Sequence, residues 1–326
     1  MLEATTVWHD ADIDLSPLQH RTVGLVGYGN HGHPQALNLR DSGINVIVGA
    51  RDASTKASHA KADGFTVVPL AELPNHADVL MLLVPDHAIG ETIAAITPKL
   101  TGRHFIAIGH GYAWYYNLAP LPPQVNGFLA APKSHGSGVR QKFVDGSGVP
   151  ALVAVHQDPS GETLGVALAY LKAIGSGRVG IYPTTIQEET VCDLFSEQAV
   201  LCGGLSRLVT MAFDTLVDRG YSAEVAYIRC FHELKLIAQL LCDRGPTGLR
   251  DIISPAARVG DLLNGGRVID THTRQQMEAI LTEIENGTFA QQLATEVATG
   301  FEKTNAIKEQ WRHHVIEASH QRMKNH

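Results

Sequence analysis

Apolar positions along the chain follow two regimes. From Thr22 to about Pro183, short runs rich in Val, Ile and Leu alternate with stretches of helical periodicity. The runs cover residues 22–26, 45–48, 65–68, 79–84, 105–108, 127–130, 151–155 and 179–182. Near-continuous apolar strands suit a parallel sheet buried on both faces. The segments between them, such as 34–41 and 161–173, fit βαβ crossovers. Residues 1–183 therefore predict a doubly wound α/β domain of Rossmann type. Beyond residue 184 the strand signal stops. Leu194, Val200, Leu201 and Leu205 recur at helical spacing, as do Val225, Ile228, Leu236, Leu240 and Leu241. Pro246 and Gly248 mark a break, and further helices are expected at 274–285 and 289–299. The polar tail after Trp311 is expected to fray. Residues 184–326 thus predict an all-helical second domain.

Composition narrows the picture. Apolar residues make up 44% of the 326, enough for a sizeable core, which excludes a disordered or collagen-like chain. With 26 Lys+Arg against 33 Asp+Glu the net charge is −7, and no basic cluster offers phosphate contacts, so no nucleic-acid partner is expected. The longest apolar runs, such as 79–85, are short for a bilayer, and the N-terminus lacks the features of a signal peptide. The expectation is a soluble, cytoplasmic protein without a membrane partner. Cys192, Cys202, Cys230 and Cys242 form no CxxC pair and are expected to be reduced and buried.

The strongest chemical signal follows the first strand. Gly27-Tyr28-Gly29-Asn30-His31-Gly32 is a GxGxxG turn between strand and helix, the setting in which backbone N–H groups receive a dinucleotide pyrophosphate. Cofactor choice is set at the end of the second strand. There Arg51, Ser54 and Lys56 suit a 2′-phosphate and favour NADP(H), while Asp52 keeps NAD(H) open. In the helical half, Asp193 and Glu197 are four apart, on one helix face among apolar residues, and suit a divalent ion such as Mg²⁺. Glu233 lies four residues after Arg229 on another helix, a spacing that also describes an ordinary ion pair.

These residues together resemble the ketol-acid reductoisomerases, NADPH- and Mg²⁺-dependent enzymes of branched-chain amino-acid synthesis. The resemblance spans nearly the whole chain and is closest to the short, class I form. It rests on GYGNHGHPQALNLRDSG (27–43), VPD (84–86), GHGY (109–112), APK (131–133), GVPALVAVHQDPSG (148–161), EET with DLFSEQAVLCGG (188–204) and HELKLI (232–237). It implies a Rossmann domain, a knotted helical domain, and a homodimer whose active sites draw on both helical domains. It assigns cofactor contacts to the Gly27–Gly32 loop, including Tyr28, Asn30 and His31, to Arg51, Ser54 and Lys56, and to Pro85, Asp86 and His110. It makes His110 and Lys133 active-site residues. Asp193 would bridge two Mg²⁺ ions, Glu197 would hold one, and Glu233 of the partner chain would face the second. Ser254 would contact a substrate carboxylate.

The departures are as informative as the matches. Where the family carries an acid four residues before Glu233, this chain has Arg229. At about 5 Å and an effective dielectric of about 20, a guanidinium and a divalent ion repel by roughly 6–7 kcal/mol. The second Mg²⁺ site is therefore expected to be lost, leaving Asp193 and Glu197 for any ion retained. Arg229 could instead pair with Asp193, Glu197 and Glu233, or bind an anionic substrate. Arg258 also replaces an acid, His135 replaces a Pro, and the segment after His110 is unusually aromatic. The family reaction couples a two-metal alkyl migration to hydride transfer, and losing a metal harms the first step more. The sequence thus predicts a diverged NADP(H)-dependent oxidoreductase acting on a C=O or C=N of a small polar or anionic molecule. Arg229, Ser254 and Arg258 would hold that substrate. Two alternatives are an authentic ketol-acid reductoisomerase converting 2-acetolactate to 2,3-dihydroxy-isovalerate, and a non-catalytic dinucleotide-binding protein.

Overall fold

The structure, a computed structural model, describes residues 6–50 and 55–324. The chain divides into two compact units between Thr190 and Val191.

In the first unit eight strands form one sheet: β1 (Thr22–Val26), β2 (Asn45–Ala50), β3 (Thr66–Pro69), β4 (Val79–Leu82), β5 (Phe105–Ile108), β6 (Asn126–Pro132), β7 (Ala151–Gln157) and β8 (Ile181–Pro183). Their order is β3-β2-β1-β4-β5-β6-β7-β8. The order reverses beside β1, where the chain turns from β2 and β3 on one side to β4 on the other. Val26 pairs with Gly49 and with Leu82, so the strands end level and open a crevice at this reversal. The expected parallel sheet needs one correction. β7 runs antiparallel to β6, and β8 follows β7 in parallel. Apolar runs report burial on two faces and carry no information about direction.

Alternation along the strands fills two cores. Val79, Met81, Phe105 and Ala107 face one layer with Ala36, Leu39, Val166 and Tyr170. Leu80, Leu82, Ile106 and Ile108 face the other with Ile89, Ile93 and Ile96. Each such buried side chain contributes about 1.5–3 kcal/mol. The helices of this unit are α1 (Ser16–Gln19), α2 (Gly32–Asp41), α3 (Thr55–Ala62), α4 (Asp86–Ile96), α5 (Tyr112–Tyr115), α6 (Gly136–Val144) and α7 (Thr163–Ala173). Helix α8 (Ile186–Ser196) carries the chain across the division at residue 190.

The second unit contains only helices among its described residues: α9 (Gly203–Asp218), α10 (Ala223–Tyr227), α11 (Leu234–Ile252), α12 (Pro255–Val268), α13 (Thr271–Glu285), α14 (Thr288–Ala298), α15 (Glu302–Arg312) and α16 (Val315–Lys324). Two π-helical turns interrupt them, at Glu197–Leu201 and Ile228–His232. The break expected near Pro246 is a kink inside α11, where Gly245 leaves helical geometry at φ 66°. The tail does not fray as expected. It forms α16, buries Ile316 against Phe213, Ala226 and Tyr227, and brings His320 Nδ1 to 2.6 Å from the Tyr227 hydroxyl.

Much apolar surface in this unit is open, including Met211 (68%), Leu262 (60%) and Leu263 (72%). The cysteines follow suit: all are free, Cys192, Cys202 and Cys242 are exposed and Cys230 is half-buried, against the expectation of burial. By length and composition the continuous helical run 186–218 is also apolar enough to cross a membrane, which the short apolar runs of the first domain did not suggest.

Candidate active site

The glycine-rich turn closes tightly on the start of α2. Gly27 adopts φ +95°, and a Cβ there would run into the Leu83 carbonyl. A Cβ on Gly32 would run into the Gly27 carbonyl, so the third glycine is required by the loop packing on its own helix. Tyr28 anchors the loop sideways. Its hydroxyl donates to Asp63 Oδ2 at 2.7 Å, and its ring packs on His33 and Phe65. Burial, then the Asp63 carboxylate, push the Tyr28 hydroxyl pKa up, so it stays protonated. Lys56, on α3, brings its Nζ to 3.3 Å from where a Gly29 Cβ would stand, placing a cation over the glycine-rich turn. Arg51 and Ser54, the other expected 2′-phosphate contacts, lie outside the described residues.

A polar cluster stands at the ends of β4, β5 and β6. Pro85 caps α4 and Asp86 opens it, where a carboxylate complements the helix dipole. His110 Nδ1 lies 3.3 Å from Asp86 Oδ1, and the His110 side chain is 18% exposed. Lys133 follows β6 and donates from Nζ to Glu189 Oε1 at 2.8 Å. The other Glu189 oxygen, Oε2, accepts from the Gly111 N–H at 2.8 Å. Glu189 is fully buried and both of its oxygens are engaged, which is the condition for keeping a charge inside the protein. It fixes Lys133 and ties the loop carrying His110 to α8. Sequence reasoning gave Glu189 no role. The available signal was its place four residues before Asp193 on one helix, inside the EET stretch. Tyr112 stacks near His110, with ring centroids 6.4 Å apart, and burial followed by Asp86 raises its pKa.

In the second unit Asp193 lies on α8 and Glu197 opens the first π turn. Such turns widen a helix locally and are frequent at functional sites. Arg229 lies in the other π turn. Its Nη1 contacts Glu233 Oε2 at 2.6 Å, so the guanidinium is paired with the acid expected to face a second metal. Ser254 caps α12, its hydroxyl accepting from the Ala257 N–H at 3.2 Å, and Arg258 is exposed on the next turn.

Two family descriptions match consecutive parts of the chain. The acetohydroxy acid isomeroreductase NADPH-binding domain matches residues 17–180, and the ketol-acid reductoisomerase C-terminal domain matches residues 186–326. The chain belongs to the ketol-acid reductoisomerase family. An NADH-preferring ketol-acid reductoisomerase from an uncultured archaeon shares 36% identity, with 98% of each chain covered and a TM-score of 0.95. More distant structures share the fold. A semialdehyde dehydrogenase NAD-binding protein from Cupriavidus necator is 20% identical over 82% of this chain and 99% of its own, with a TM-score of 0.64. A pyrroline-5-carboxylate reductase from Coxiella burnetii is 15% identical over 81% and 96%, with a TM-score of 0.55. As a ketol-acid reductoisomerase relative, this protein is a NAD(P)-dependent oxidoreductase with a nicotinamide cofactor and a small-molecule substrate. The reading as a non-catalytic nucleotide binder is set aside.

The residues present fit the cofactor and only part of the family's metal set. The closed glycine turn, the α2 N-terminus and Lys56 suit a dinucleotide. Asp193 and Glu197 supply hard oxygen donors of the kind Mg²⁺ takes. The Arg229–Glu233 pair does not supply a second such set, because a fixed cation stands beside the remaining carboxylate.

Proposed function

We propose that this protein is a diverged ketol-acid reductoisomerase relative that carries out hydride transfer without the two-metal alkyl migration, with NADP(H) preferred over NAD(H). The observation that carries the reading is the 2.6 Å Arg229–Glu233 ion pair. The substrate is a small polar or anionic molecule with a C=O or C=N bond. Arg229, Ser254 and Arg258 are the groups offered to its anionic end, the arginines through their planar forks.

The nicotinamide, when bound, supplies or accepts the hydride. The chain's own residues handle the charge that develops. Lys133 Nζ, held by Glu189, donates a hydrogen bond to the oxygen or nitrogen that gains charge during reduction. His110, whose Nδ1 lies 3.3 Å from Asp86 Oδ1, is the group we assign to proton transfer at that atom. Glu189 holds Lys133 in place. None of these steps calls for a second metal.

The open apolar faces of the helical unit support a homodimer, a second copy covering Met211, Leu262 and Leu263. The same cover accounts for the apolar run 186–218 without a membrane, since that run also carries Asp193, Glu197 and Glu189. We place the protein in the cytoplasm on this reading.

A second reading is favoured by the 36% identity to a ketol-acid reductoisomerase and by retention of Lys133, Asp193 and Glu197. In it the chain is an authentic family enzyme that turns Arg229 aside. Following NADPH consumption on 2-acetolactate, with Mg²⁺ and with EDTA, separates the two. Mg²⁺-dependent turnover supports the second reading and defeats the first.

A further inference from the structure

Helix α16 lays one face against α10, at the entry to the second π turn. Ile316, Ser319, His320 and Met323 recur every three or four residues, so they share that face. Ile316 and Ser319 are buried, and Ile316 and Met323 pack with Phe213, Ala226 and Tyr227. A histidine on such a face is most simply a packing residue with its polar atoms satisfied. His320 goes further because of where its partner stands. Its Nδ1 lies 2.6 Å from the hydroxyl of Tyr227, a residue only 4% exposed.

Tyr227 is the last residue of α10, and the chain passes from it directly into the turn Ile228–His232. The Glu233 N–H closes that turn by donating to the Ile228 carbonyl, five residues back, at 3.0 Å. A helix widened in this way is rare and gives up its regular four-residue bond, so neighbouring elements must compensate. Helix α16 grips the turn and the helix that leads into it. Arg322 Nη2 pairs with Glu224 Oε1 at 3.0 Å, at the start of α10. At the other end His320 holds the Tyr227 hydroxyl and meets the Phe231 ring edge-on, with centroids 6.5 Å apart. Phe231 in turn stacks on Tyr227 at 5.0 Å. Arg229 stands between these two rings in sequence, and its partner Glu233 supplies the N–H that closes the turn. The Arg229 side chain is 67% exposed, so its aim depends on the backbone path and on Glu233 more than on surrounding packing.

We propose that α16 is a clamp on this turn, and that His320 and Tyr227 are positioning residues for Arg229, acting through the backbone that carries it. The inference rests on the reading of Arg229 as a ligand of the substrate's anionic end and names the parts that aim it. A guanidinium meets a carboxylate through two parallel bonds only when its plane is correctly turned. A small change in the turn therefore weakens substrate binding and leaves the hydride step alone. Loss of the clamp then raises KM and spares kcat, the pattern of an interaction equally strong in ground and transition states.

The test follows NADPH oxidation by the full-length protein on 3-hydroxy-3-methyl-2-oxobutanoate, a small oxo acid, alongside amide hydrogen exchange across the turn. His320→Ala should raise KM about threefold to tenfold, the range of one hydrogen bond, with kcat within about twofold. Exchange should quicken at residues 228–233 and stay unchanged in α13. Tyr227→Phe, which keeps the ring and its stacking, should do the same. His320→Asn, which puts an acceptor in place of Nδ1, should restore both readouts. Arg229→Met should raise KM further than either, and adding His320→Ala to it should raise KM no more, since the arginine to be aimed is gone. Unchanged exchange or an unmoved KM in His320→Ala and Tyr227→Phe overturns the inference alone, as does an additional rise in the double variant. Absence of turnover, or a KM that Arg229→Met leaves where it was, overturns it together with the reading of Arg229.

Discussion

One side chain, Arg229, carries the proposal that this protein has left the chemistry its relatives are named for. Its guanidinium lies 2.6 Å from Glu233, and the repulsion it would exert on a divalent ion there is roughly 6–7 kcal/mol at 5 Å. Arg229→Glu should therefore tighten Mg²⁺ binding at least tenfold, measured by calorimetry. No gain would mean that more of the site has changed than this residue. Lys133 tests the other cluster. Lys133→Met leaves the buried Glu189 carboxylate without its cation and should lower stability by about 3 kcal/mol. That is the low end for breaking a buried pair, because Lys133 is one-third exposed. The double variant Lys133→Met, Glu189→Gln should recover much of the melting temperature and none of the activity. Recovery of both would remove Lys133 from the mechanism. At this scale the sequence was informative where a residue type broke a motif, as Arg229 does. It was silent on Glu189, whose importance lies in two partners, Lys133 and Gly111, brought in from distant loops.

Elements were legible where burial is repetitive. The β4 and β5 runs alternate between two cores, so their continuous apolar character follows directly from the layers. Strand direction was not legible, and β7 reverses. Nor was the docking of α16, whose few apolar positions include Ile316, buried against Tyr227. The segment from α5 to Tyr116 makes an alkaline prediction. Burial, then Tyr115 and Tyr112, push the Tyr116 hydroxyl up to about 12, against 10 when unfolded. Between these values the unfolded chain releases a proton that the folded chain keeps. The stability contributed is fully present below pH 10 and lost as pH rises through 12. Tyr116→Phe should move the alkaline unfolding midpoint upward, followed by circular dichroism, with tyrosinate absorbance marking ionisation. An unchanged midpoint would show that Tyr116 ionises as freely in the folded state.

At the scale of the whole molecule, the two halves carry different kinds of information. The first unit closes on itself around a sheet, while the second leaves Met211 and Leu263 largely open. Helical periodicity showed which faces are apolar but not what covers them. Leu263→Asp combined with Met211→Asp should convert a dimer into a monomer at micromolar concentration, read by light scattering after size exclusion. A monomeric unaltered protein would instead leave those faces unexplained by a second copy. The retained hydride machinery and the altered metal position together make the central claim, that reduction has been kept and migration given up. It is tested most directly by comparing NADPH oxidation on 2-acetolactate, which must rearrange first, with oxidation on the already rearranged 3-hydroxy-3-methyl-2-oxobutanoate. The account predicts no turnover of the first and turnover of the second that EDTA leaves intact. Mg²⁺-dependent turnover of 2-acetolactate, abolished by EDTA, would contradict it.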